Sequence, residues 1–266
     1  LNFDKLNWKQ SKQKDGEDYT LVWFDKSNSS GEVGTPQLPV YKKLILLPLG
    51  AKVNARIANS SEVELSLKDF GVTKPIIPVQ PSARKDEDSL LIPFIRKKEI
   101  YAKQTYINNS IVTVEILGNM RSYTIARLVV NPVDYNPAEG KIKVYNDIDI
   151  EVDVIGGAKT TNETPGLSSP YFDMLSKSLF NTTSTIYDGN PDKTKYPVKM
   201  LIISNRMFES SLVPFIQWKT QKGFKVITAY TDVIGTSAAQ IKSYIQQQYN
   251  SATADDPAPT FLIFVG

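Results

Sequence analysis

The sequence predicts an α+β chain of two domains, an N-terminal antiparallel β sandwich or barrel followed by an incomplete parallel α/β sheet. Three observations predict it. Through the first two-thirds, short β-branched and aromatic runs recur between Gly, Pro, Asn and Asp, the texture of closely spaced antiparallel strands. From about residue 196 the apolar period changes, compact runs of strand length alternating with helical spacing. Between the two lies a polar stretch without apolar periodicity, which places a β-rich domain at 1–155, a linker with a short helix at 156–195 and an α/β domain at 196–266.

In the first domain, strands are expected at Tyr19–Phe24, Tyr41–Leu47, Val53–Ala58, Val63–Leu67, Ile111–Leu117, Tyr123–Val130, Lys141–Tyr145 and Ile148–Val154. The last two alternate apolar and polar residues at period two, and Asn146-Asp147 between them is a turn-forming dipeptide, so they read as a hairpin. The linker begins at Gly156-Gly157, passes a helix candidate at Tyr171–Phe180 with Phe172, Leu175, Leu179 and Phe180 on one side, and ends in the polar run to Lys195. In the second domain Val198–Ile203 is a strand. Phe208, Leu212, Phe215 and Ile216 then recur at helical spacing until Gly223, with Pro214 expected near the helix start. Phe224–Tyr230 is the next strand. Ser237 and Gln240 form a capping-box pair ahead of a second helix with Ile241, Ile245 and Tyr249 on its buried stripe, ending near Asn250. Phe261–Val265 closes a β-α-β-α-β series, which the crossover rule turns into parallel strands.

Composition excludes several functions. With 41% hydrophobic and 22% charged residues the chain is globular, and 31 basic against 28 acidic residues leave no nucleic-acid surface. Its longest apolar stretches, Leu44–Leu49 and Phe261–Val265, are far short of the roughly 20 residues of a membrane-spanning helix. The start at Leu1, with no basic and apolar leader, predicts a signal peptide that is absent or removed. The absence of histidine and cysteine rules out a His/Cys dyad, a Ser-His-Asp triad or a zinc site built from this chain. Three parallel strands make only part of a sheet, and catalytic groups in such sheets gather beyond the strand ends. The chain is therefore expected to stop, at Gly266, before its active site, with no catalytic residue and no metal ligand of its own.

Several segments carry a resemblance. Tyr196-Pro197-Val198-Lys199-Met200-Leu201-Ile202-Ile203, then Phe215-Ile216-Gln217-Trp218-Lys219-Thr220-Gln221-Lys222-Gly223-Phe224, with Ile241–Ile245 and Phe261–Gly266, resembles the opening of the gingipain family of cysteine peptidases. Upstream, Gly34-Thr35-Pro36-Gln37-Leu38-Pro39-Val40 and Leu128–Pro137 are similar to a gingipain prodomain. The resemblance implies a bacterial zymogen, secreted or at the cell surface. Its β-rich prodomain would occlude, and help to fold, a caspase-like peptidase domain that cleaves protein substrates after Arg or Lys. The partner would be the remainder of that peptidase domain, and calcium would belong to the complete domain, with no cofactor in this chain.

Pro81-Ser82-Ala83-Arg84-Lys85-Asp86-Glu87-Asp88 resembles the family region that places a basic side chain in the specificity pocket, with Arg84 the first choice and Lys85 the second. A cation in an acidic pocket would form a charge-assisted pair. The same residues read equally as solvated loop charges balanced by Asp86, Glu87 and Asp88. Activation would cut the linker, at Lys193 or Lys195. Asp255-Asp256 offers oxygen ligands for calcium or, more simply, a solvated loop. Two rival classes stand beside the zymogen. One is a noncatalytic β-rich secreted binding or adhesion module, which leaves the α/β half without a purpose. The other is a nucleotide-binding protein, against which Ser204-Asn205-Arg206-Met207-Phe208 offers no Gly-rich phosphate loop.

Overall fold

The computed structural model describes residues 6–88, 91–108, 110–121, 123–157, 169, 171–172, 179, 197–253 and 255–266. It divides into two compact units: Leu1–Leu44, Val53–Ile116 and Ala126–Val154 in the first, and Ile45–Lys52, Leu117–Ile125 and Ile155–Gly266 in the second. The structure is mixed, with open sheets in both halves of the sequence.

The β-rich half contains β1 (Asn7–Lys12), β2 (Asp18–Trp23), β3 (Asn28–Ser30), β4 (Leu38–Pro48), β5 (Lys52–Ser66), a 3-10 turn at Leu67–Phe70, the single-turn helix α1 (Lys98–Tyr101), β6 (Val112–Met120), β7 (Tyr123–Val130), β8 (Val133–Asn136) and β9 (Lys141–Ile155). The strands form an antiparallel β1–β2 pair, a sheet ordered β3-β4-β7-β6 and a sheet ordered β5-β9-β8. Within the first unit the core gathers Val22, Leu38, Val130, Tyr135, Ile142 and Ile148 from strands of all three sheets, with Phe24 just past β2 and Ile76 in a connection. Burying their apolar area is what holds the sheets.

Two expected breaks are absent. Val53–Ala58 and Val63–Leu67 fall, apart from Leu67 at the start of the 3-10 turn, in one strand, β5, that runs through Asn59-Ser60-Ser61, and the expected hairpin at Asn146-Asp147 is one strand, β9. Asp147 does adopt the left-handed conformation, with φ 48°, but the strand continues through it. The reason lies across the pair: β5 and β9 are neighbours, and the polar residues that suggested turns meet one another. The Ser61 hydroxyl lies 3.5 Å from Asp147 Oδ2, Lys143 pairs with Glu62 at 2.7 Å, and Arg56 pairs with Glu151. A polar face satisfied by cross-strand partners looks, in one strand's sequence, like a turn.

The α/β half contains β10 (Val198–Ser204), a 3-10 turn at Arg206–Phe208, α2 (Glu209–Gln221), β11 (Phe224–Tyr230), the short helix α3 (Thr231–Ile234), α4 (Ala238–Asn250) and β12 (Phe261–Val265). The strands are parallel in the order β11-β10-β12, as the alternating pattern requires. Central β10 is buried on both faces. Met200 and Ile202 pack under Leu212, Phe215 and Ile216 of α2, and Leu201 and Ile203 under Ile241, Tyr244 and Ile245 of α4. The Ser237–Gln240 capping box forms, each side chain answering the other's backbone N–H. Pro214 lies inside α2 rather than at its start, because the helix already begins at Glu209 behind the 3-10 turn. Of the helix expected at Tyr171–Phe180, Tyr171 and Phe172 are helical and the remainder lies mostly outside the described residues.

Candidate functional site

The segment that contains Arg84 and Lys85 is an excursion with a closed neck. Its outgoing leg reaches Gln80 and its return leg begins at Phe94. The Gln80 amide bridges the two, its Nε2 donating to Ile95 O at 2.8 Å and its Oε1 accepting from Ile95 N at 2.9 Å, so one side chain replaces a pair of strand bonds. Gly34 sits between the legs: its N–H donates to Val79 O at 2.8 Å and its carbonyl accepts from Lys97 N at 2.9 Å. Gly34 has φ +87°, and a Cβ there would stand 2.9 Å from Lys97 Cγ and 3.2 Å from Lys97 N. Only glycine fits this close backbone approach, which gives the Gly34-Thr35-Pro36 segment a physical role.

The return leg is pinned further. Phe94 packs on the Tyr19 ring at 5.3 Å, the Arg96 guanidinium lies 4.4 Å over Tyr101, and Lys97 Nζ pairs with Glu32 at 2.8 Å. Tyr101 donates its hydroxyl to Ile76 O at 2.6 Å, and burial raises its pKa. At the tip, Glu87 N–H donates to Arg84 O at 3.1 Å, and the Glu87 carboxylate accepts from Arg84 N at 3.3 Å. That turn spends the backbone of Arg84 and leaves the side chains outward. Arg84 and Lys85 are exposed, and neither side chain finds a partner among the described residues. Arg96 and Lys97, by contrast, are engaged within the fold.

At the carboxyl ends of the parallel strands, Arg206 Nε donates to Asp232 Oδ2 at 2.5 Å and its guanidinium lies 4.4 Å over the Tyr230 ring, with Glu209 at 3.4 Å. Arg206 holds the Asp232 carboxyl below its ordinary pKa. The Ser204 hydroxyl donates to Asn205 O at 2.9 Å. At the opposite end, the Asp256 carboxylate takes Lys199 at 2.6 Å on one oxygen and Lys225 at 2.9 Å on the other. Ammonium groups thus pair with both oxygens of the Asp256 carboxylate. Among the described residues no group of three or more acidic, His or Cys side chains converges. Lys193 and Lys195 lie outside the described residues.

A β-rich segment with a clamped, basic-tipped loop, joined to the first strands of a parallel α/β sheet, has the form of a peptidase proregion leading into its catalytic domain. Residues 2–178 match the family Propeptide_C25 and residues 193–266 match Peptidase family C25. The chain belongs to the gingipain family of cysteine peptidases, as a prodomain followed by the start of the catalytic domain.

Over 241 residues the chain is 37% identical to Lys-gingipain of Porphyromonas gingivalis, an alignment that takes in 89% of this chain and 14% of that protein. Gingipain R2 of the same species is 24% identical over 253 residues, covering 91% of this chain and 32% of the relative. The chain thus spans about one-seventh of the length of the Lys-gingipain it matches. Among solved structures, one that addresses the zymogenic latency of gingipain K from P. gingivalis is 34% identical with a TM-score of 0.55, covering 59% of this chain and 85% of that one. A complex of the P. gingivalis RgpB pro- and mature domains shares the fold at 18% identity and a TM-score of 0.52, covering 68% and 88%. The family match displaces both rival classes.

Proposed function

We propose that this chain is the latency-conferring front of a cysteine endopeptidase precursor that cleaves after Arg or Lys. Residues 1–155 would be a sandwich-type prodomain that assists folding and inhibits, 156–195 the linker cut on activation, and 196–266 the opening of a caspase-like domain. The precursor would act outside the bacterial cell or at its surface. One observation carries the reading: an exposed basic pair is presented on a loop whose neck is fixed by Gln80 and Gly34. A loop closed at its neck in this way has less backbone freedom to lose when it docks, which is the economy of preorganised inhibitors.

Arg84, or Lys85 beside it, would enter an acidic specificity pocket as a charge-assisted hydrogen-bonded pair. Pairing Arg84→Ala with Lys85→Ala should raise the inhibition constant of the prodomain against the separated peptidase roughly tenfold, about 1.4 kcal/mol. An unchanged constant removes the tip from the mechanism. Activation would cut after Lys193 or Lys195. Amino-terminal sequencing of the processed enzyme should begin at Thr194 or Tyr196, and a start far from Asp188–Pro197 refutes this placement.

A further inference from the structure

The turn between β6 and β7 places at its apex the most deeply buried arginine among the described residues. Arg121 is 7% exposed, and its backbone is left-handed at φ 56°, a conformation that costs a non-glycine residue roughly 1 kcal/mol. Its guanidinium donates from Nη1 to Ala258 O at 3.4 Å and from Nη2 to Pro259 O. It also lies 4.9 Å from the Phe172 ring and 5.7 Å from the Tyr249 ring. The acceptors belong to Pro257-Ala258-Pro259, the segment leading into β12, where two prolines lack the N–H groups of a strand ladder.

The turn itself is braced. Thr124, 1% exposed, donates to Asn119 Oδ1 at 2.8 Å and accepts from Gly50 N at 3.0 Å. Next to the clamp, Thr260 Oγ1 lies 3.1 Å from the Ser169 hydroxyl, and Tyr171 stacks edge-on with Phe261 at 4.9 Å. All of these residues lie in the second unit. Yet Arg121 belongs to the stretch matched by the propeptide family and Ala258 and Pro259 to that matched by the peptidase family. A planar, permanently charged fork that meets two carbonyls and two ring faces is specific recognition, which a lysine ammonium would reproduce only in part.

We infer that the β6–β7 turn is a latch, in which Arg121 grips the Ala258 and Pro259 carbonyls and so retains the peptidase portion of the same precursor after the linker is cut. The inference rests on the zymogen reading and adds to it an attachment point separate from the basic tip. Retention and inhibition are therefore distinct properties of one prodomain.

The test uses the whole chain with a protease recognition sequence placed between 181 and 195. After cleavage, the dissociation rate of the two fragments is measured by size exclusion and interferometry. Arg121→Ala should speed dissociation at least tenfold and Arg121→Lys at least threefold, while the Arg84→Ala, Lys85→Ala pair should stay within twofold of the unsubstituted chain. Rates within twofold for both Arg121 variants overturn the latch. Should Arg121→Ala not fold before cleavage, as judged by circular dichroism, Arg121→Lys decides at its own threshold. A latch effect without any effect of the tip variants on inhibition would leave the latch standing and remove the tip reading; the reverse pattern would do the opposite.

Discussion

Replacing Ile202 with alanine is expected to destabilise the α/β half by about 3–4 kcal/mol, toward the upper end for removing a buried isoleucine side chain. Ile202 is 0% exposed at the middle of β10, hydrogen-bonded to β11 on one side and β12 on the other. Its side chain packs with Met200, Leu212 and partly buried Phe215 and Ile263. The cavity cannot collapse easily, because strands on both sides fix the backbone that would have to move. Urea unfolding followed by far-ultraviolet dichroism should show a lower midpoint with an unchanged slope. A shift under 1 kcal/mol would mean that β10 is not the central strand of this sheet.

Asp256→Ala is expected to cost about 2–3 kcal/mol and to do so in a pH-dependent way. Lys199 is buried, with 5% of its side chain exposed, and removing its counter-charge strands an ammonium group; such losses run about 3–5 kcal/mol when both partners are buried. The Asp256 carboxylate is 51% exposed, and the Asp256 backbone oxygen, 3.5 Å from Lys199 Nζ, survives the substitution, so the lower figure applies. Lys225→Ala, which removes only an exposed partner, should cost about 0.5 kcal/mol or less.

Lys199 first, and then Lys225, hold the Asp256 carboxyl below its ordinary pKa. A carboxyl with a lowered folded-state pKa stabilises above its unfolded value, near 4, and that contribution is lost as pH falls through the folded value. The difference between Asp256→Ala and the unsubstituted chain should therefore be flat from pH 5 to 8 and shrink below about pH 4. A difference that persists unchanged at pH 3 would show that the pair does not act through charge.

What the sequence made legible was local. β10, β11 and β12, helices α2 and α4 and the Ser237–Gln240 box announce themselves in consecutive residues, because a strand buried on both faces and an amphipathic helix each have their own period. The short strands β1, β3 and β8 carry too few apolar residues to announce themselves: β1, Asn7–Lys12, has Trp8 as its one large apolar residue. The splitting of β5 and of β9 is a different failure. Asn59-Ser60-Ser61 and Asn146-Asp147 are turn chemistry in isolation, and only the neighbouring strand shows them to be a paired polar face.

The site divides in the same way. Arg84 and Lys85 are visible as a charged run, but the neck that makes them a tip is formed by partners far apart in sequence. Gln80 and Ile95 are 15 positions apart, and Gly34 reaches both Val79 and Lys97. Arg121 gave no signal at all, since an arginine in a hairpin turn ordinarily reads as a solvated cation. Its significance appears only where Pro257-Ala258-Pro259 supplies carbonyls to it.

The neck also separates two kinds of change that a precursor can undergo. Its closure uses the side chain of Gln80 and the backbones of Ile95, Gly34, Val79 and Lys97, and none of the residues at the tip. On the proposed reading the tip would be a cassette: its residues could change to suit a pocket that prefers arginine or one that prefers lysine without touching the hydrogen bonds that close the neck. In a lineage whose peptidases differ in specificity, proregion and enzyme could then be re-matched through a few loop substitutions, without a new fold.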